Sequence, residues 1–287
     1  MINLKITDVR ALPADSAFLI DNGKTAILYD SGFGFTGLKV AENIKRELGS
    51  RKLDYIFLTH SHYDHALGAA YVLEVYPNAK IVAGEYAQTI FQKSTAKATM
   101  RELDRKFAQK CDVTEYPDLT DNLKVDIPVS DGDEINCGDM KFTAVNLPGH
   151  TKCSVGFYQS ENKLLLSCET LGVSYGDKYL PAFLVGFGMT LDSFKKAKEL
   201  DIENILVPHR GLISGENAKE FIEKSEKAAT KTAEMIKELF LSGLNEEEVF
   251  ELYKNKVYTE EIKPYYPIDA FNLNSSIMIR LIKNELL

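Results

Sequence analysis

Residues 57–70 read FLTHSHYDHALGAA, and this stretch decides how the rest of the chain is read. His60, His62, Asp64 and His65 fall within six positions, directly after the apolar run 53–58, LDYIFL. The chain has only five histidines in 287 residues, so three of them are spent here. Imidazole and carboxylate are ligands for zinc, and also for iron or manganese. In an extended segment alternate side chains point the same way, so His60 and His62 can grip one ion. Asp64 and His65 follow where the chain turns into a helix expected over 65–76, and can face a second ion.

The other two histidines occupy similar places. His150 lies in NLPGHTKCS and His209 in ILVPHRG, each after an apolar strand and beside Pro or Gly. Strand ends hold functional groups on a rigid scaffold while leaving them accessible. Two ions about 3.5–4 Å apart need a bridging carboxylate. Glu169, in LLLSCETLG after the hairpin that follows His150, is the acid available, and the neighbouring thiol of Cys168 is the rival ligand.

Outward from the histidines, the pattern alternates strands and helices. SAFLI and TAILYDSG are apolar runs joined by DNGK, where Asn22-Gly23 predicts a type I′ hairpin. A helix is expected over 37–48, a strand at KIVAG, and largely helical structure over 84–110. A second run of strands begins near Ile127, with turn signals at Asp131-Gly132 and Gly138-Asp139 around alternating apolar residues. A helix near 191–200 and the strand NILVP follow. Residues 217–242 are amphipathic, Asn245 with Glu248 opens another helix as a capping box, and a last helix covers about 270–285. These patterns divide the chain into a two-sheet sandwich over 1–215 and a helical C-terminal extension over 216–287.

The motif order resembles the metallo-β-lactamase superfamily over roughly residues 10–215. THSHYDHALGA is close to that family's T-H-x-H-x-D-H-x-G-G, with Ala69 in place of the last glycine. LYDSG resembles its early I-D-T-G, and PGHT and PHRG supply the later histidines. The resemblance implies an α+β fold, an αβ/βα four-layer sandwich with a C-terminal helical appendage and a dinuclear site in a cleft between sheet edges. It implies that His60, His62 and His150 hold one metal, and that Asp64, His65 and His209 hold the other. Asp30 would sit beneath the metals and orient a ligand. Glu169 aligns with the family's bridging aspartate and is one methylene longer.

The expected cofactors are two divalent ions, zinc first, with iron or manganese as alternatives. The expected chemistry is hydrolysis of an ester, thioester, lactone or similar small substrate by a metal-bridging hydroxide that Asp64 helps to orient. A di-iron oxidoreductase of the flavodiiron type, a phosphodiesterase or nuclease, and a catalytically degenerate metal-binding protein are the alternatives. The net charge of −8 weighs against a nucleic-acid partner. No apolar stretch reaches the ~20 residues of a membrane span. The opening residues carry no apolar secretion core and the four cysteines no C-x-x-C spacing, so a cytoplasmic protein with reduced thiols is expected. The substrate-contact candidates are Tyr175, Lys178, Tyr179 and Phe183 after Glu169, with Tyr265 and Tyr266 in PYYP. The C-terminal helices would either close the cleft or serve as a packing or homodimer surface.

Overall fold

A computed structural model of the chain describes residues 4–287. Two six-stranded sheets face each other. The first runs in the order β1 (Lys5–Asp8), β2 (Phe18–Asp21), β3 (Ala26–Tyr29), β4 (Tyr55–Phe57), β5 (Lys80–Gly84) and β6 (Ile127–Val129). Its antiparallel edge gives way to parallel pairing from β3 onward. The second contains β7 (Glu134–Cys137), β8 (Met140–Asn146), β9 (Val155–Gln159), β10 (Leu164–Leu166), β13 (Asn204–Val207) and β14 (Gly211–Ser214). Their order is β14-β13-β10-β9-β8-β7. A separate hairpin, β11 (Val173–Tyr175) with β12 (Lys178–Leu180), lies between β10 and β13 in the chain.

Unbroken apolar runs form the central strands because both faces of each sheet are covered. In β3, Ile27 and Tyr29 enter the core between the sheets, while Ala26 and Leu28 face the outer helices. In β13, Leu206 points inward and Ile205 and Val207 point outward. Phe57 anchors the middle layer, with ring centroids 4.5 Å from Phe157 and 5.3 Å from Phe142.

Outside the first sheet lie α1 (Gly37–Leu48), the short α2 (Tyr63–Ala66), α3 (Gly68–Val75), α4 (Glu85–Phe91) and α5 (Ser94–Lys110). Outside the second lie α6 (Phe187–Lys198), α7 (Glu216–Leu241), α8 (Glu246–Val257) and α9 (Ile268–Leu286). This is the expected four-layer sandwich. The three C-terminal helices share one apolar cluster with the outer face of the second sheet, through residues such as Ile205, Phe221, Ile236 and Phe271. The amphipathic face of 217–242 is therefore consumed by the sandwich itself. Glu285 of α9 also accepts hydrogen bonds from the backbone N–H groups of Phe187 and Gly188 at the start of α6. Among the described residues no helix is long and apolar enough to cross a membrane.

Three local expectations need correction. The β2–β3 loop is four residues long, pairing Asp21 with Ala26. Gly23 alone has positive φ there, and the Asn22 carboxamide accepts from the N–H groups of Lys24 and Thr25, which replaces the type I′ turn with an Asx turn. The helix expected over 65–76 starts earlier, at Tyr63, and its first turn is set off from α3. The helix expected over 191–200 runs from Phe187 to Lys198. The capping box of Asn245 and Glu248 forms as expected.

Candidate metal centre

Parallel strands end on the same side, so their C-terminal loops converge. β3 and β4 pair with Tyr29 opposite Phe57, and each runs on into a motif: Asp30 after one, Leu58-Thr59-His60 after the other. In the facing sheet β10 and β13 are parallel, with Leu166 opposite Leu206. They lead to Glu169 and His209, and β8 leads to His150. The Tyr29 hydroxyl donates to the carbonyl of Ser167 at 2.7 Å, tying the two sheets together below the site.

The side chains gather in two groups. His60, His62, His150 and Glu169 form one, and Asp64, His65 and His209 form the other. Nitrogens approach closely in both: His150 Nε2 is 2.9 Å from His62 Nδ1, and His209 Nε2 is 3.2 Å from His65 Nε2. Two nitrogens at ~2.0–2.1 Å from one tetrahedral ion lie roughly 3.3 Å apart. The Glu169 carboxylate stands between the groups. Its Oε2 lies 2.8 Å from His150 Nε2 and 3.8 Å from His60 Nε2; its Oε1 lies 3.2 Å from His209 Nε2 and 3.9 Å from His65 Nε2.

Each buried ring is aimed by its far nitrogen. His65 Nδ1 meets Asp30 Oδ2 at 2.7 Å, and His60 Nδ1 meets Thr59 Oγ1 at 3.0 Å. His150 Nδ1 meets the carbonyl of Ala182 at 2.6 Å, and His209 Nδ1 that of Ala14 at 3.0 Å. Donation from Nδ1 leaves the Nε2 lone pair facing the cluster, the arrangement that orients ligating histidines. Asp30 is itself fixed by Ser16 Oγ and by the N–H and hydroxyl of Thr59. It adopts φ 50°, and His209 φ 61°, positions where a non-glycine residue is strained. The guanidinium of Arg10 donates to the His209 carbonyl and steadies that turn.

The site passes a test of fit for metal. His60 Nε2 is buried without a hydrogen-bond partner. Such an orphan costs free energy unless something else satisfies it, and here it points into a nest of ligand atoms. Burial, then the neighbouring His65, His62 and His150, hold His60 well below the usual imidazole range, so the ring is neutral, the form an imidazole ligand takes. Burial and His150 pull His62 down to about 3. Burial alone would lower His65, yet Asp64, Asp30 and Glu169 carry it up to about 10. Burial would raise Glu169, but His150 and hydrogen bonding with His150 and His209 hold it well below the carboxylate range. A pocket that favours a proton on His65 favours a metal cation in its place.

Cys168, the rival ligand, turns away. Its buried thiol faces the carbonyl of Leu147 at 3.9 Å within the outer apolar cluster, and burial pushes it up to about 12. Glu169 opens a 3₁₀ turn, Glu169–Leu171, directly after the extended residue Cys168. Gly68 explains one glycine of the motif: a Cβ there would lie 1.9 Å from the carbonyl oxygen of Ser31. That close approach seats α3 against the loop carrying Asp30.

The cluster opens into a cavity of about 140 Å³ that His62, Asp64, Glu169 and His209 reach. Tyr175, Tyr265 and Tyr266 line it, with Tyr175 and Tyr265 stacked at 5.3 Å and 11°. The other contact candidates sit elsewhere. Lys178 is exposed and pairs with Glu261 at 3.6 Å, Tyr179 packs on Phe221, and Phe183 is buried against Phe187. In the β11–β12 hairpin Tyr179 pairs with Ser174 on the face opposite Val173, Tyr175 and Leu180, whereas Lys178 pairs with Tyr175 at the exposed turn end. Sequence reasoning missed Phe33, Tyr63 and the α5 face of Leu103, Phe107 and Lys110. The i, i+4, i+7 spacing of those α5 residues was the available signal.

The profile of the Metallo-beta-lactamase superfamily matches residues 14–209, and the chain belongs to that superfamily. It is 30% identical over 132 residues to a glyoxylase B2 of Dictyostelium discoideum, covering 45% of this chain and 40% of that protein. It is 24% identical over 208 residues to hydroxyacylglutathione hydrolase 1 of Vibrio vulnificus, covering 70% and 63%. The chain thus spans only 40% and 63% of the length of these curated relatives. A metallo-beta-lactamase family protein from Thermus thermophilus has the same fold, with TM-score 0.66 and 17% identity over 99% of this chain and 93% of that one.

Proposed function

We propose that the chain is a dinuclear metal-dependent hydrolase, with zinc as its metal, acting on a small ester, thioester or lactone. The observation that carries this reading is the Glu169 carboxylate, whose two oxygens face two separate groups of ligand atoms, at 2.8 Å from His150 and 3.2 Å from His209. In this reading His60, His62 and His150 hold one ion, Asp64, His65 and His209 hold the other, and Glu169 bridges. Two divalent ions bound there would lower the pKa of a shared water toward neutrality and polarise the substrate carbonyl.

The protein's own groups do the remaining work. Asp30, Thr59 and the carbonyls of Ala14 and Ala182 keep the imidazoles in the ligating tautomer. Asp64, whose Oδ2 is 3.6 Å from His65 Nε2, reaches the cavity and orients the attacking water. Water adds to the acyl carbon and the C–O or C–S bond breaks. One water proton ends on the leaving oxygen or sulfur, and the acid product loses the other. No histidine is left over to activate a serine, which favours water as the nucleophile. The names of the curated relatives support the hydrolase class.

Elemental analysis after metal-replete expression should give close to two zinc ions per chain, and a panel of esters, thioesters and lactones should contain a substrate. A ratio near one, or a two-metal protein that turns over none of the panel, would overturn the reading.

A further inference from the structure

The cavity beside the candidate metal centre constrains what can be hydrolysed. Apart from the ligand atoms its walls are mostly apolar or aromatic, with Phe33, Phe107, Leu180 and Leu273 facing the stacked pair Tyr175 and Tyr265. The polar groups around it are largely engaged with one another. Lys110 pairs with Asp269, Lys106 with Glu102, and the Asn274 amide donates to the Tyr266 hydroxyl at 2.8 Å. Besides these, the hydroxyl groups the wall offers are few, the phenols of Tyr63, Tyr175 and the partly exposed Tyr265. Such a wall can serve one or two acceptor atoms, as in a carbonyl group, and leaves further buried hydroxyls unpaired.

Size narrows the choice further. An apolar cavity of roughly 150 Å³ holds benzene. The volume here is about 140 Å³. We infer that the substrate presents a compact apolar acyl group, a single aromatic ring or a short alkyl chain, rather than a hydroxylated or long-chain one. This rests on the hydrolase reading above and specifies the acyl half of its substrate.

The test is a series of thioesters that share one small neutral thiol, N-acetylcysteamine, given to the zinc-loaded protein. From acetyl to butanoyl, kcat/KM should climb by roughly fourfold per methylene. It should remain high for hexanoyl and benzoyl and fall for decanoyl. The 2-hydroxypropanoyl ester should lie about tenfold or more below butanoyl. Leu273→Gln, at a half-exposed wall position, should shrink the ratio of benzoyl to 2-hydroxypropanoyl turnover severalfold with zinc content unchanged. Equal rates for the hydroxylated and alkyl esters, or a rise continuing to decanoyl, would overturn the inference while leaving the hydrolase reading intact. Binding is a separate readout that survives failure of that reading. Calorimetry should find benzyl methyl ketone binding at least tenfold tighter than hydroxyacetone, and equal affinities would overturn the apolar subsite even in a protein with no turnover.

Discussion

The two sides of the cavity are held in opposite ways. On one side, the histidines, Asp64 and Glu169 stand on strand ends and the turns just beyond them, with four of the five rings locked by a far-side hydrogen bond. On the other, the wall comes from α5, the β11–β12 hairpin and residues 265–274. It is joined across its mouth by ring stacking and one exposed ion pair, Lys110 with Asp269. Backbone buried between two sheets positions atoms to fractions of an ångström, as ligation needs. Helices and hairpins docked by side chains permit the wall to vary without disturbing the ligands.

The sharpest way to break this contrast is at Glu169. Glu169→Ala should lower hydrolysis at least about a hundredfold, since even groups that only support ligands are worth 10–100-fold. Under graded chelator it should also release first the ion that the proposed reading assigns to Asp64, His65 and His209. Glu169→Asp should retain two ions, and Cys168→Ser should retain both with only a loss of stability. Loss of metal from Cys168→Ser with both ions kept in Glu169→Ala would mean that the thiolate is the ligand.

Asp30→Asn comes next. The change preserves shape but removes the charge that orients His65, and metal affinity should fall about 10–100-fold in chelator competition. Unchanged affinity would mean that His65 is aimed by packing alone.

Behind the wall, Asp104 links α5 to the loop bearing Phe33, accepting from the N–H groups of Gly34 and Phe35 and from Tyr116 Oη. Burial raises its pKa from 3.8 to about 6 against those three hydrogen bonds. A raised carboxylate is easier to protonate in the folded state. Its contribution is therefore greatest below the unfolded value and is lost as pH rises through about 6. Relative to Asp104→Asn, the native chain should gain about 1 kcal/mol of stability between pH 7 and pH 5 in denaturant titrations. A flat difference would show that the carboxylate is not desolvated as its burial implies.

The smallest effect belongs to the stacked tyrosines. Tyr265→Ala removes one ring pair worth about 0.5–1.5 kcal/mol. It should raise KM by a few-fold with kcat and zinc content nearly unchanged. A fall in zinc content would mean that the two sides of the cavity are not independent.

The ligand side was legible because its logic is local. His60, His62, Asp64 and His65 are neighbours in the chain, and His150, Glu169 and His209 each follow an apolar run that had to be a buried strand. Asp30 was legible only through resemblance, because nothing in YDSG reveals a partner 35 positions away. The Asn22-Gly23 turn was misread because the type I′ signal ignores the Asn22 side chain, which bonds its own loop. Tyr179 was misplaced because a loop read as one cleft-facing stretch is a hairpin whose residues divide between two faces, and Lys178 because it stands at the hairpin's exposed turn and pairs with Glu261.

The sequence by itself determined a two-sheet sandwich with outer helices and the seven ligand candidates, since apolar periodicity and donor chemistry are written residue by residue, and the αβ/βα order of its layers was legible through resemblance. Tertiary structure decided the rest. It put the Glu169 oxygens between the two groups and turned Cys168 into the core. It also brought α5, Tyr175 and Tyr265 together over the site from positions scattered across more than half the chain. The physical reason is that a ligand type is a property of one side chain. A cavity is a property of surfaces that meet only when the sheets pack and their strand ends converge.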